Sequence, residues 1–215
     1  MKTKFMILLA ALGLTAANSW ADAITLDFKG NSVTGGTLLL TESGTDATDD
    51  FTGDRFDELA IASFQITGLP TYGSLTITAS ALVDDLNVTG SGLQDGSSGY
   101  NAAGEGTSFV FNRDVIITAL DWGSFTSDTV ILRNGATNLG TFTTGSPISG
   151  GIDFSDTDPA VMSITVAQGD AFVIENDSGT FYLESMNITA IPEPSSIMLM
   201  GLVGIVAVSV LRKRK

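Results

Sequence analysis

The chain has no cysteine and no histidine among its 215 residues, and each absence removes a class of chemistry. Without cysteine there is no disulfide framework, no thiolate nucleophile and no zinc–thiolate or iron–sulfur site. Without histidine there is no Ser-His-Asp triad and no imidazole general base. Catalysis would fall to carboxylates, Lys, Arg, Tyr or Ser/Thr, so no catalytic residues are assigned and a non-enzymatic role is expected. A metal would need oxygen ligands, which points to calcium. Basic residues are scarce as well, 10 against 24 acidic ones, for a net charge of −14. Six of the ten lie at the two ends of the chain. Residues 24–191 keep only Lys29, Arg55, Arg113 and Arg133 against 22 carboxylates, a formal charge of −18. Nucleic-acid binding relies on clustered Lys and Arg, so nucleic acid is excluded as a partner of this part.

What is present begins with two terminal segments unlike the middle. Met1-Lys2-Thr3-Lys4 precedes an apolar run over residues 5–14, then small-x-small sites at Ser19-Trp20-Ala21 and Ala21-Asp22-Ala23. A basic start, a short apolar core and a small-residue site make a secretory signal peptide, assigned to residues 1–23 and cleaved after Ala21 or Ala23. An apolar run of about ten residues is too short to span a bilayer. At the other end, Pro192-Glu193-Pro194 is followed by an uncharged stretch and then Arg212-Lys213-Arg214-Lys215. Residues 194–211 would make a helix about 27 Å long, enough for a hydrocarbon core of about 30 Å. The predicted transmembrane helix covers 195–211, and its basic tail stays cytoplasmic by the positive-inside rule. The domain therefore lies outside.

Pro-Glu-Pro, an apolar helix and a basic terminus, in that order and paired with a signal peptide, resemble the PEP-CTERM sorting signal of exopolysaccharide-producing Gram-negative bacteria. The resemblance covers residues 191–215, with the motif at Pro192, Glu193 and Pro194. It implies an exosortase as partner, together with the secretion machinery, and an inner-membrane-anchored intermediate. Removal of the tail near the motif would then place the protein at the cell surface or in the extracellular matrix.

Residues 24–190 read as one all-β domain. Ile24, Leu26 and Phe28 alternate with Thr25, Asp27 and Lys29; Leu75, Ile77 and Ala79 alternate with Thr76, Thr78 and Ser80; Met162, Ile164 and Val166 alternate with Ser163 and Thr165. Period two is the signature of half-buried antiparallel strands. Further strands are predicted over 59–67, 107–112, 114–122, 129–133, 138–143, 170–176 and 181–189, with Asn134-Gly135 as a two-residue hairpin turn. Ten to twelve short strands with Gly, Asp and Asn punctuation predict an antiparallel β-sandwich, jelly-roll-like.

Two insertions interrupt the alternation. Residues 42–58 carry seven carboxylates around Arg55. Asp46, Asp50, Asp54 and Asp57 fall in a spacing that echoes an EF-hand, but Phe51 stands where that loop needs Gly, so the four are at most a looser calcium site. Residues 84–106 hold six glycines and read as a flexible surface loop. Tyr72, Tyr100 and Trp122 are aromatics near loops, with Asp95, Asn101 and Glu105 close in sequence. Tyr100, Asn101 and Trp122 are the candidate carbohydrate contacts, by aromatic stacking and polar hydrogen bonds. A glycosidase would need two carboxylates about 5–10 Å apart, and no pair is marked by its neighbourhood. The expected function is a structural component of the exopolysaccharide or biofilm matrix. A calcium-assisted carbohydrate-binding module comes second, with extracellular polysaccharide as its partner.

Overall fold

A computed structural model describes residues 22–40, 60–70, 73–96, 99–124, 128–143 and 160–191. Fourteen strands run through them: β1 (Asp22–Asp27), β2 (Ser32–Thr34), β3 (Thr37–Leu40), β4 (Ile61–Leu69), β5 (Gly73–Ala81), β6 (Leu86–Thr89), β7 (Gly92–Asp95), β8 (Gly106–Phe111), β9 (Val115–Gly123), β10 (Thr129–Asn134), β11 (Thr137–Thr143), β12 (Ala160–Val166), β13 (Ala171–Ser178) and β14 (Tyr182–Ala190). Among the described residues there is no helix long and apolar enough to cross a membrane, and the helix expected over 195–211 lies outside them.

Sheet I has the order β12-β9-β14-β1-β2, with the β6–β7 hairpin attached to β14, and sheet II has the order β11-β10-β13-β8-β5-β4-β3. All pairs are antiparallel. Set β2–β7 aside and the orders become β12-β9-β14-β1 and β11-β10-β13-β8. Every connection among these eight except β10–β11 then changes sheet, which is the strand order of a jelly roll. Strands β2–β7 are inserted between its first two strands.

The alternation read from the sequence is what buries the core. Ile24 and Leu26 of β1, Phe64 and Ile66 of β4, Leu75 and Ile77 of β5, and Phe109 and Phe111 of β8 are all essentially inaccessible, and one hydrophobic cluster draws on both sheets. Phe28, just after β1, and Phe109 of β8 have ring centroids 6.3 Å apart. A side chain such as Phe or Leu contributes about 1.5–3 kcal/mol on full burial.

Two irregularities decide which residues face out. In β9, Ala119 pairs with Asn187 but Ile117 pairs with Ile188, so one extra residue sits in β9. Because side chains alternate, an extra residue exchanges the faces of everything beyond it. Val115 and Ile117 point into the core, yet beyond the bulge it is Leu120 and Trp122 that are buried, and Asp121 is turned outward. A second bulge places Glu184 as the extra residue of β14, between Leu183 opposite Trp122 and Ser185 opposite Asp121.

The hairpin read at Asn134-Gly135 exists with a one-residue offset. Asn134 pairs with Thr137, so the tight turn is Gly135-Ala136, and Gly135 takes φ 57°. Glycine at the first central position and a negative φ at the second make the II′ geometry that matches strand twist.

Connection lengths divide the sandwich into two unlike ends. At one end the connections are short: 35–36, 70–72, 112–114, 135–136 and 167–170. At the other are the strand ends that flank the long connections 41–60, 96–105 and 144–159. We call these the base and the crown.

Candidate functional site

The crown is where the sequence places its candidate ligands, and its best-defined feature is a buried carboxylate. Asp95 ends β7 and is fully inaccessible. Its Oδ2 accepts the backbone N–H of Leu82 (3.2 Å), Val83 (3.1 Å) and Gly106 (2.8 Å), and its Oδ1 accepts that of Asp84 (2.8 Å). Four backbone N–H groups thus converge on one carboxylate, three of them sharing Oδ2. Asp95 therefore ties the β5–β6 connection to the start of β8, and its full burial keeps it from a ligand in solution. Gly106 has to be glycine, since a Cβ there would fall on the Ile174 carbonyl oxygen.

Neighbouring polar groups fold the 96–105 connection onto the core in the same way. Glu105 Oε2 accepts the N–H groups of Asn101 (2.5 Å) and Ala102 (2.9 Å). Gln94 accepts from Gly99 N–H and donates to the Gly96 carbonyl. Asn176 Nδ2 donates to the carbonyls of Tyr100 (2.8 Å) and Gly179 (3.0 Å). Tyr100 itself bridges to Phe181, and its phenol oxygen lies 2.8 Å from the Thr107 hydroxyl. Burial pushes that phenol well above its ordinary pKa, with the Asp95 charge a smaller cause in the same direction.

This geometry corrects three sequence expectations. Residues 84–106 are not a loose surface loop but the β6–β7 hairpin and a pinned connection. Tyr100 is 0% exposed and Trp122 4% exposed, so neither ring offers a face on which a sugar could stack. Tyr100 packs on Phe181 at 5.1 Å, and Trp122 meets the same ring edge-on at 5.4 Å. Asn101 is exposed, but the two aromatic partners proposed for it are core. Asp95 and Glu105 are likewise structural. The hairpin and the Asp95 anchor were missed because a strand holding buried Gln94 and Asp95 carries no apolar alternation.

A second set of charges stands on the outer face of sheet I. Asp27, Ser185 and Asp121 form one cross-strand row over β1, β14 and β9. Glu184 accepts a 2.6 Å hydrogen bond from the Lys29 ammonium, an ion pair that raises the Lys29 pKa. Asp121 is held above the ordinary carboxylate range, first by burial and then by the Glu184 charge. The bulges described above bring Asp121 and Glu184 together, which nothing in the sequence announces. Among the described residues, no group of three or more acidic side chains is arranged to hold a metal ion. Asp46, Asp50, Asp54 and Asp57 lie outside the described residues, as do Pro192, Glu193, Pro194 and Arg212, Lys213, Arg214 and Lys215.

At the base, both ends of the domain meet. Ala190, the last residue of β14, pairs with Asp22 on one side and Val115 on the other. The next N–H, from Ile191, donates to the Asp114 carbonyl at 3.0 Å. A central strand of the sandwich thus ends where the terminal segment begins in the sequence. An all-β domain followed by such a segment is the class that the fold and the sequence define. The tail is a PEP-CTERM protein-sorting motif, matched over residues 190–215. That motif makes the chain an exosortase-sorted exported protein that passes through a membrane-anchored intermediate toward the surface. None of the curated proteins matches the chain.

Proposed function

We propose that this protein is a non-enzymatic component of the extracellular polymer matrix, held base-down on its sorting tail and then released from it or transferred at the cell surface. The observation that carries the reading is the convergence at the base: Asp22 is the register partner of Ala190, where the motif begins. The signal peptide and the sorting tail then leave the same end, and the crown points away from the membrane. Short base connections suit an end that works close to a bilayer. Because β1 starts at Asp22, cleavage after Ala21 leaves the strand whole, whereas cleavage after Ala23 would remove two of its residues.

A non-enzymatic role agrees with the crown, where Asp95 and Glu105 serve backbone N–H groups rather than a substrate. Calcium stays a proposal resting on Asp46, Asp50, Asp54 and Asp57, in the connection between β3 and β4. Calorimetric titration of the whole chain with calcium tests it, and absence of heat would remove it. Carbohydrate binding is the second reading, favoured by the charge-free half of a sheet face taken up below. The sorting part is tested by Glu193→Ala in a host with an active exosortase. The variant should accumulate in the inner-membrane fraction with its tail attached, and unchanged delivery to the surface would refute the assignment.

A further inference from the structure

In a domain with a formal charge of −18, four neighbouring strands carry no charged residue. Strands β3, β4, β5 and β8 contain 28 residues and not one Asp, Glu, Lys or Arg. Their inward residues build half of the core. Their outward residues make a hydroxyl-and-amide lattice: Ser63 lies opposite Thr78, Gln65 opposite Thr76, and Ser80 opposite Ser108. Neighbours are about 4.8 Å apart across the strands and about 6.8 Å apart along them. The groups already touch one another, with Ser63 Oγ 3.5 Å from Thr78 Oγ1 and Gln65 Nε2 donating to Thr76 Oγ1 at 3.3 Å. A hydroxyl has one donor and two acceptor lone pairs, so such contacts leave hydrogen-bonding capacity on the lattice. At its rim, Leu39 is 49% exposed and Ile61 58% exposed.

We propose that the outer face of the β3-β4-β5-β8 half of sheet II, bounded on its β13 side by the Glu175–Arg133 ion pair, binds an uncharged polysaccharide. The proposal rests on the reading of the protein as a matrix component, not on its sorting, and it gives the carbohydrate reading a surface that the buried Tyr100 and Trp122 do not provide. Charge selects the partner. A cationic partner would bind the acidic remainder of the domain, and an anionic polymer would be repelled by it. Composition then separates the neutral partners. Protein interfaces are enriched in aromatics, Met and Arg and depleted in Ser, whereas this face is mostly Ser and Thr. A neutral glycan offers hydroxyls to the lattice and C–H faces to Leu39 and Ile61, with no charge to desolvate.

The test is native affinity electrophoresis of the whole protein in gels containing hydroxyethyl-cellulose, glucomannan or dextran, with alginate as the acidic counterpart. Wild-type protein should be retarded by at least one neutral polymer and not by alginate. Ser63→Glu with Thr78→Glu should weaken that retardation at least tenfold. Ser63→Lys with Thr78→Glu should do the same while adding a favourable cross-strand charge pair, so a folding defect cannot explain the loss. Ser163→Glu with Thr165→Glu, both exposed on β12 in the other sheet, should leave retardation unchanged. Retardation that persists in both face variants overturns this site and leaves carbohydrate binding to another surface. No retardation by any neutral polymer overturns the site and the carbohydrate reading, leaving the sorting assignment intact. A concentration-dependent dimer in sedimentation, lost in the face variants, would reassign the face to a second copy of the chain.

Discussion

Replacing Asp95 with Asn tests whether the crown is held by one buried carboxylate. Oδ2 takes three backbone N–H groups and Oδ1 takes one. The Asn side chain can keep its oxygen toward the first three, but its amide then faces the Asp84 N–H, donor against donor. Hydrogen bonds to a charged group contribute about 1.5–3 kcal/mol and neutral ones about 0.5–1.5 kcal/mol. Losing one bond and the charge on the other three should cost about 3 kcal/mol. With a urea m-value of about 2 kcal/mol/M, the midpoint falls by about 1.5 M. Asp95→Ala strands all four donors and should cost about 5 kcal/mol or more, comparable to the whole stability of many domains. Urea titrations of both variants, followed by tryptophan fluorescence, read the two shifts. A midpoint for Asp95→Asn within about 0.3 M of wild type, which at this m-value is well under the cost of one such bond, would refute the anchoring argument. Equal shifts for Asn and Ala would refute the asymmetry between the two oxygens.

Tyr100→Phe leaves the buried Thr107 hydroxyl without its phenol partner and should destabilise the domain by about 1–2 kcal/mol. Because the folded phenol titrates above its unfolded value near 10, the folded state holds the proton more tightly, so wild-type stability falls as pH rises above about 10. Absorbance titration at 295 nm should show the Tyr100 ionisation only together with unfolding. Asp121→Asn should act in the opposite sense at neutral pH. The folded carboxyl is raised above its unfolded value, so its ionisation opposes folding, and stability from this group is fully present only below the unfolded pKa. The variant should therefore melt higher than wild type at pH 7, with the gain shrinking toward pH 3. Equal or lower melting at pH 7 would contradict the burial and Glu184 repulsion assigned to it.

The long, strongly alternating strands were legible in the sequence because burial of one face imposes period two. Ile24 to Phe28, Leu75 to Ala79 and Met162 to Val166 carry it plainly, and all lie where expected. Strands β2 and β3 escaped notice because three residues are too few for a pattern and Leu38-Leu39-Leu40 does not alternate. Strands β6 and β7 hid among glycines, with Gln94 and Asp95 buried for hydrogen bonding rather than apolarity. Trp122 could not be placed without the β9 bulge, because an unbroken strand puts it on the face opposite Val115 and Ile117. Tyr100 lies far from any alternating run, and its burial follows from contacts with Phe181, Thr107 and Asn176 distributed over the chain. The sorting tail was legible in full because its signal is local: three residues, an apolar stretch and a basic end. Sequence reveals local order well, and contacts made by distant residues only through the fold.

The central claim is that a sandwich beginning at Asp22 is delivered to the surface by the motif that follows Ala190. Intact-mass and terminal-peptide analysis of the protein from the host, with and without its exosortase, tests it most directly. The account predicts an N-terminus at Asp22 in both strains, and a C-terminus beyond Ile191 but lacking Arg212–Lys215 only where the exosortase is present. Surface-exposed protein that keeps Arg212–Lys215 in the exosortase-positive strain, or a mature chain starting inside β1, would contradict it.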